Sequence, residues 1–412
     1  PANWPRSPRP TKPPLSYNRA MSESPPTVAP SANRLSLCYE TEAHKLGPPP
    51  VDILDAHTHL RGEDSVRVYQ RVAEHYGVTH TWSMTPLEQV SEVRHVLGSA
   101  VQFIAQPDFR ADNLLHAMGD GFLERIDAFH SEGAHLVKFW AAPRARDLGR
   151  KAGDPNLMML DGPHRQRQME RTCELGMGIM THIGDPDTWF ATHYADASAY
   201  GDKASQYESF ERAMEQFDVP WLAAHFGGWP EDLGFLDGLL TRHPKLHLDT
   251  SATKWMVREL SRHSPEEFNA FLDRWSGRIL FGSDIVVQGD HLVQDDKGGR
   301  TGQASSADEA YDLYASRYWA LRTLFETSYD GPSPIADPDL ALAYPDQFGP
   351  TDAPTLTGKQ LPLNTLRMVY RDAAIGLSAL LREWAHQGRD RRHDAMTEAR
   401  PLDPRRLLHG SG

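Results

Sequence analysis

Cysteine is scarce. The chain of 412 residues holds two, Cys38 and Cys173, too few for a disulfide framework. Long apolar runs are also missing, and none approaches the roughly 20 residues that a membrane-crossing helix needs. The first residues carry no apolar core of the kind that directs secretion, so a cytoplasmic location is expected. Positive charge is in deficit: 43 Lys and Arg stand against 56 Asp and Glu, a net charge of −13. That balance speaks against nucleic acid or an anionic membrane as a main partner. A glycine-rich phosphate turn is absent after the first apolar run, where a doubly wound dinucleotide fold would carry one.

What is present is an alternation of apolar and amphipathic runs between two polar ends. Residues 1–48 are rich in Pro, Ser and Asn without apolar periodicity and read as a disordered arm. Met21 lies inside it as an alternative start. Residues 387–412 read as a disordered tail. In the domain between them, 49–386, eight strand-like runs are expected near 51–60, 78–84, 101–105, 134–140, 177–183, 219–226, 245–249 and 278–287. Helical patterns separate them. Eight strands with intervening helices over this length fit a (β/α)8 TIM barrel, which takes roughly 250 residues; an open doubly wound sheet is the alternative. Residues 288–360 form an insertion: a polar loop, a helix over 310–327 and an irregular stretch over 330–358. The helix carries Tyr311, Tyr314 and Tyr318 on one face, as core or as the contact of a homodimer. A C-terminal helical extension opens at Leu361-Pro362.

The chemistry is expected where strands end, because a barrel of this kind works at the C-terminal ends of its strands. The first strand ends in Asp55-Ala56-His57-Thr58-His59. Residues two apart on a strand share a face, so His57 and His59 project side by side. Later ends carry Lys138, His182, His225 and Asp284. Imidazole and carboxylate are the donors that zinc and harder divalent ions take.

These stretches resemble the amidohydrolase superfamily, and within it the amidohydrolase-related branch that holds the aminocarboxymuconate-semialdehyde and γ-resorcylate decarboxylases. The likeness lies in Asp55-Ala56-His57-Thr58-His59, Thr181-His182-Ile183-Gly184, Ala224-His225-Phe226-Gly227-Gly228 and Leu280-Phe281-Gly282-Ser283-Asp284, in that order, with Asp372-Ala373 as a weaker match. The resemblance implies a metal-dependent hydrolase. His57, His59, His182 and Asp284 would hold one divalent metal, zinc, with manganese as the alternative. His225 and Asp284 would be the catalytic pair. Lys138 would face substrate, join a structural pair or, if carboxylated, bridge to a second metal. Arg144 and Lys254 are expected to bind substrate. Trp140, Asp185, Trp189, His193, Thr253, Trp255, Arg258 and Arg110 are further pocket candidates, and Asp55 is expected to support the first strand or the histidines. A metal-dependent non-oxidative decarboxylase is the alternative reaction, and a non-catalytic metal-binding barrel the alternative class.

Overall fold

The computed structural model describes residues 32–293 and 304–398, together with the backbone alone over the last turns of the final helix. Nine parallel strands pair in the order β8-β7-β6-β5-β4-β3-β2-β1-β9. They are β1 (Ile53–Leu60), β2 (Val78–Ser83), β3 (Val101–Ala105), β4 (Leu136–Trp140), β5 (Gly178–His182), β6 (Trp221–Ala223), β7 (Leu246–Asp249), β8 (Ile279–Leu280) and β9 (Ile285–Val287). The last two are pieces of one expected strand, 278–287. β8 pairs with β7 and β9 with β1, so the ring closes through residues 281–284. The backbone bonds Ala56 N–H to Phe281 O (2.9 Å) and Asp284 N–H to His57 O (2.8 Å) seal the gap. Closure excludes the open sheet. The eighth strand breaks because Asp284 adopts φ 59°, a left-handed conformation that a strand cannot contain.

The barrel interior is apolar below its mouth. Ala56, Trp82, Ile104, Leu136, Met180, Leu222 and Leu280 pack together with Ala373, Ala374, Leu377 and Leu381 of the last helix, Ala373–Glu398. A Cβ on Gly178, the first residue of β5, would collide with Leu381, so this helix covers the N-terminal ends of the strands. A single π turn, Met368–Asp372, precedes it, and the Val369 carbonyl there accepts from Phe281 N–H (2.8 Å) at the break in the eighth strand. The register of β1 against β2 shifts between Asp55 and Thr58. That bulge moves the strand by one position. Leu54 and Ala56 join the interior cluster, and beyond the bulge His57 and His59 face the mouth while Asp55 turns to the helices.

The ends of the chain depart from expectation. The arm expected to be disordered through residue 48 has a helix at Tyr39–Leu46. Tyr39 is buried, and its carbonyl accepts from Tyr76 OH (3.0 Å). This packing against Glu63–Tyr76 and Ala307–Glu326 has no signature in an eight-residue helix taken alone. Residues 1–31, with Met21, lie outside the described residues. The last helix runs past 387, where the tail was expected to begin; 399–412 lie outside the described residues. The tyrosines of Ala307–Glu326 are buried within the chain: Tyr318 OH meets Tyr69 OH (2.9 Å) and donates to Asp55 (2.8 Å). The stretch 330–358 holds two short antiparallel strands, Asp330–Pro332 and Thr355–Thr357, and a helix, Pro338–Ala343. Among the described residues no helix is long and apolar enough to cross a membrane.

Candidate metal centre

Three donors converge at the mouth. His59 Nε2 lies 3.2 Å and His57 Nε2 3.4 Å from Asp284 Oδ1, and one ligand atom from each of the three lies within 4.8 Å of the others. A second group of the same kind is His57, His225 and Asp249. Its carboxylate is already engaged. Asp249 Oδ2 pairs with His57 Nδ1 (2.9 Å), and Oδ1 accepts from His225 N–H (2.9 Å), Ser251 N–H (3.0 Å) and the Ser251 hydroxyl. Asp249 therefore orients its neighbours. Through Nδ1 it fixes the His57 ring with Nε2 toward Asp284, the device by which a carboxylate prepares an imidazole for a metal.

The protonation states suit a cation. Burial brings His59 down to about 4 and His225 well below the usual histidine range, so both are neutral near pH 7. For Asp284 burial acts upward, but the hydrogen bond from His59 and the imidazoles of His57 and His225 hold its carboxyl far below the usual range. Neutral imidazoles and an ionised carboxylate are the forms a divalent metal binds. His57, His59 and Asp284 fit such an ion.

His225 closes the mouth from the other side. Its ring centroid is 5.0 Å from that of His57 and 4.3 Å from that of His182. Its Nδ1 meets Ser251 Oγ at 2.8 Å, and Ser251 donates to Asp249. With the serine proton directed to the carboxylate, the network assigns the His225 proton to Nδ1 and a free lone pair to Nε2. His182 stands beside His225, yet its Nε2 pairs with the buried Asp185 (2.7 Å), whose other oxygen accepts from Tyr194 OH. It is outside both converging groups. Lys138 is buried, and among the described residues its Nζ has no hydrogen-bond partner, so the structural pair expected for it does not form. Burial lowers its pKa to about 8 against the pull of Asp249 and Asp284. Asp55 supports the site from behind, accepting from His57 N–H, Ser283 N–H and the Ser283 and Tyr318 hydroxyls.

The backbone is strained where these side chains meet. His225, Phe226, Ala252 and Asp284 all have φ between 54° and 64°, each costing of order 1–3 kcal/mol, and such strain clusters at functional sites. Gly228 explains part of its motif: a Cβ there would lie 2.7 Å from the Gly184 carbonyl oxygen, so the loops carrying His182 and His225 approach each other only through glycine.

A cavity of about 200 Å³ opens over Asp284. Lys254 lines it together with Trp189 and Trp255. Arg144 is exposed at the start of Ala145–Ala152 and does not line it. The two indoles are clamped: both Nε1 atoms donate to Asp339 Oδ2, at 2.9 and 3.2 Å, with ring centroids 5.3 Å apart. Behind them the buried Arg258 donates to Asp337, Glu259 and Thr188. Sequence reasoning missed Asp249, Ser251, Asp337 and Asp339. For Asp249 a signal existed, since it ends a strand-like run as His182 and Asp284 do.

No protein-family profile matches the chain, and no curated protein sequence does. Solved structures similar to it include a protein from Lactobacillus casei named a metal-dependent hydrolase (14% identity, 82% of this chain, 96% of that one, TM-score 0.43). They also include a D-hydantoinase from Thermus sp. (13% identity, 80% and 70%, TM-score 0.43) and a 2,6-dihydroxybenzoate decarboxylase from Rhizobium (12% identity, 66% and 99%, TM-score 0.29). At these identities and scores the likeness assigns no reaction to this chain. The names of these proteins are those of hydrolases and a decarboxylase.

Proposed function

We propose that the chain is a metal-dependent hydrolase acting on the amide, ester or lactone carbonyl of a small molecule. The observation that carries this reading is the convergence of His57 Nε2, His59 Nε2 and Asp284 Oδ1 beside a neutral His225. When bound, one divalent ion, zinc in our reading, supplies Lewis acidity and a nucleophile at neutral pH. The chain's own groups do the rest. Asp284 is ionised and accepts a proton from the attacking water. His225 presents the lone pair of Nε2, takes that proton from Asp284 and passes it to the departing nitrogen or oxygen. Ser251 and Asp249 hold the ring through Nδ1, the logic of an acid–base histidine backed by a carboxylate. Trp189 and Trp255 shield the reacting group from water. His182, turned to Asp185 here, is the fourth donor in our reading.

The same donors serve a decarboxylase, so the assay carries two arms. Purified protein is screened with lactones, amides and esters for released acid, and with hydroxybenzoates for CO2, before and after chelation. Acid release that chelation abolishes and zinc restores supports the hydrolase. CO2 release alone replaces it with the carboxy-lyase. Full turnover after exhaustive chelation sinks both. Elemental analysis tests the count of ions: one per chain is expected, and two would make a carboxylated Lys138 the bridge.

A further inference from the structure

The loop after β5 carries a second buried carboxylate built like Asp249. The Asp185 Oδ1 lies 2.7 Å from His182 Nε2, and its Oδ2 accepts from the buried Tyr194 hydroxyl at 2.5 Å. An ionised carboxylate only accepts, so the network assigns a proton of His182 to Nε2. Among the described residues nothing hydrogen-bonds the other ring nitrogen, Nδ1. His57 stands in the opposite sense. Asp249 Oδ2 meets it at Nδ1, Asp249 Oδ1 accepts from the Ser251 hydroxyl, and the free nitrogen is Nε2. Each of the two imidazoles has one nitrogen held by a buried carboxylate and one left over. Each carboxylate has its second oxygen filled by a hydroxyl. The loop fixes where Asp185 stands, because its next residues are gripped from different elements. Asp187 N–H donates to Glu231 (2.6 Å), and its carboxylate pairs with the buried Lys203 (2.7 Å). Thr188 accepts from Arg258 (2.8 Å), and Trp189 donates to Asp339. The Tyr194 ring packs on Trp189 and Phe190, with centroids 5.7 and 5.3 Å away. A carboxylate fixed in this way fixes the imidazole it meets.

We propose that Asp185, backed by Tyr194, is the positioning residue of His182: it holds the ring by Nε2 and reserves Nδ1 for the metal. This rests on the reading of His182 as the fourth donor. A carboxylate behind an imidazole sets its tautomer and orientation and raises its strength as a ligand. The two histidines then offer opposite nitrogens, His57 its Nε2 and His182 its Nδ1. The centre has two orienting carboxylates, Asp249 from β7 and Asp185 from the loop after β5. The bond from His182 to Asp185 is thus the preparation of a donor and not its withdrawal.

Zinc affinity of the full chain is measured by competition with a chromogenic chelator, and circular dichroism checks that each variant folds. Asp185→Ala weakens zinc by about tenfold to a hundredfold, the range for an outer carboxylate behind a metal-bound histidine. Asp185→Asn, whose amide oxygen still accepts from Nε2–H, weakens it less, and Tyr194→Phe least. A double-mutant cycle separates positioning from general support of the fold. If Asp185 acts through His182, Asp185→Ala changes zinc affinity little in protein that already carries His182→Ala. An equal loss in both backgrounds overturns the proposal. Wild-type affinity in His182→Ala or in Asp185→Ala does so too. Where Asp185→Ala does not fold, Asp185→Asn takes its place in the cycle under the same outcomes. The two readings fail separately. Protein that binds zinc with equal losses in both backgrounds keeps the hydrolase centre on His57, His59 and Asp284 and loses the role of Asp185. Protein with a coupled cycle that releases no acid from lactones, amides or esters keeps Asp185 and loses the hydrolase. Wild-type protein that takes up no zinc ends both.

Discussion

The floor and the wall of the cavity are built in different ways. On the floor, His57, His59 and Asp284 stand at the ends of β1 and the eighth strand. Their positions follow from backbone pairing, and the strained φ of Asp284 is held by its N–H bond to His57 O. The wall comes from loops after β5 and β7 and from the insertion, and side chains hold it. Arg258 joins Asp337 across 79 positions of sequence, and Trp189 joins Asp339 across 150. A floor set by main chain tolerates change around it. A wall set by buried charges depends on each partner. On the proposed function, the floor would hold the metal and the wall would choose the substrate.

The comparison can be broken by experiment, starting with the greatest effect. His59→Ala removes a floor donor and is expected to abolish bound metal by elemental analysis and turnover with it, while leaving the denaturant midpoint of the metal-free protein near that of wild type. Next is the wall: Arg258→Met takes the guanidinium from Asp337 and Glu259, both fully buried, leaving Glu259 only Arg262, and is expected to cost about 3–5 kcal/mol in urea unfolding. Metal content at low denaturant should be retained; its loss would show that the wall also builds the floor. Asp249→Asn keeps the shape but removes the charge opposite His57, and metal affinity should fall by about ten- to a hundredfold, measured by competition with a chelator. Asp339→Ala frees both indoles, and a several-fold rise in KM at nearly constant kcat is expected once a substrate is in hand; an equal fall in kcat would place the indoles in the chemistry itself.

The smallest effect at neutral pH concerns two buried histidines away from the donors. His247, in β7, meets the Trp221 and Lys245 carbonyls, and His291 meets Tyr314 OH. Burial lowers each to about 4 from an ordinary 6.5. The unfolded chain therefore takes up these protons first as pH falls. Their contribution is complete above pH 6.5 and is lost as pH drops through about 4. Urea midpoints across that window should decline in wild type and decline less in His247→Gln.

Much of the floor was legible because its signals are local. The alternation of runs announced eight strands, and the period of two placed His57 and His59 on one face. What defeated sequence reasoning was nonlocal. The eighth strand reads as continuous from 278 to 287, but Asp284 leaves the strand conformation to turn its carboxylate to the histidines. His182, at the end of β5, turns its Nε2 to Asp185, and although that partner is only three residues on, the turn has no periodic signature. The helix at Tyr39–Leu46 has too few residues to signal itself and forms because Tyr39 finds Tyr76 and the insertion helix. Residues 330–358 read as irregular, yet Asp337 and Asp339 from that stretch hold the wall.

From its order of residues alone, this chain determined a parallel barrel with imidazoles and carboxylates at the strand ends, because period, strand length and chain direction are properties of neighbouring residues. Only the tertiary structure decided which donors meet and which carboxylate serves as orienter. Those depend on distances of a few ångströms between side chains far apart in the chain, and on the loss of water that strengthens each buried pair.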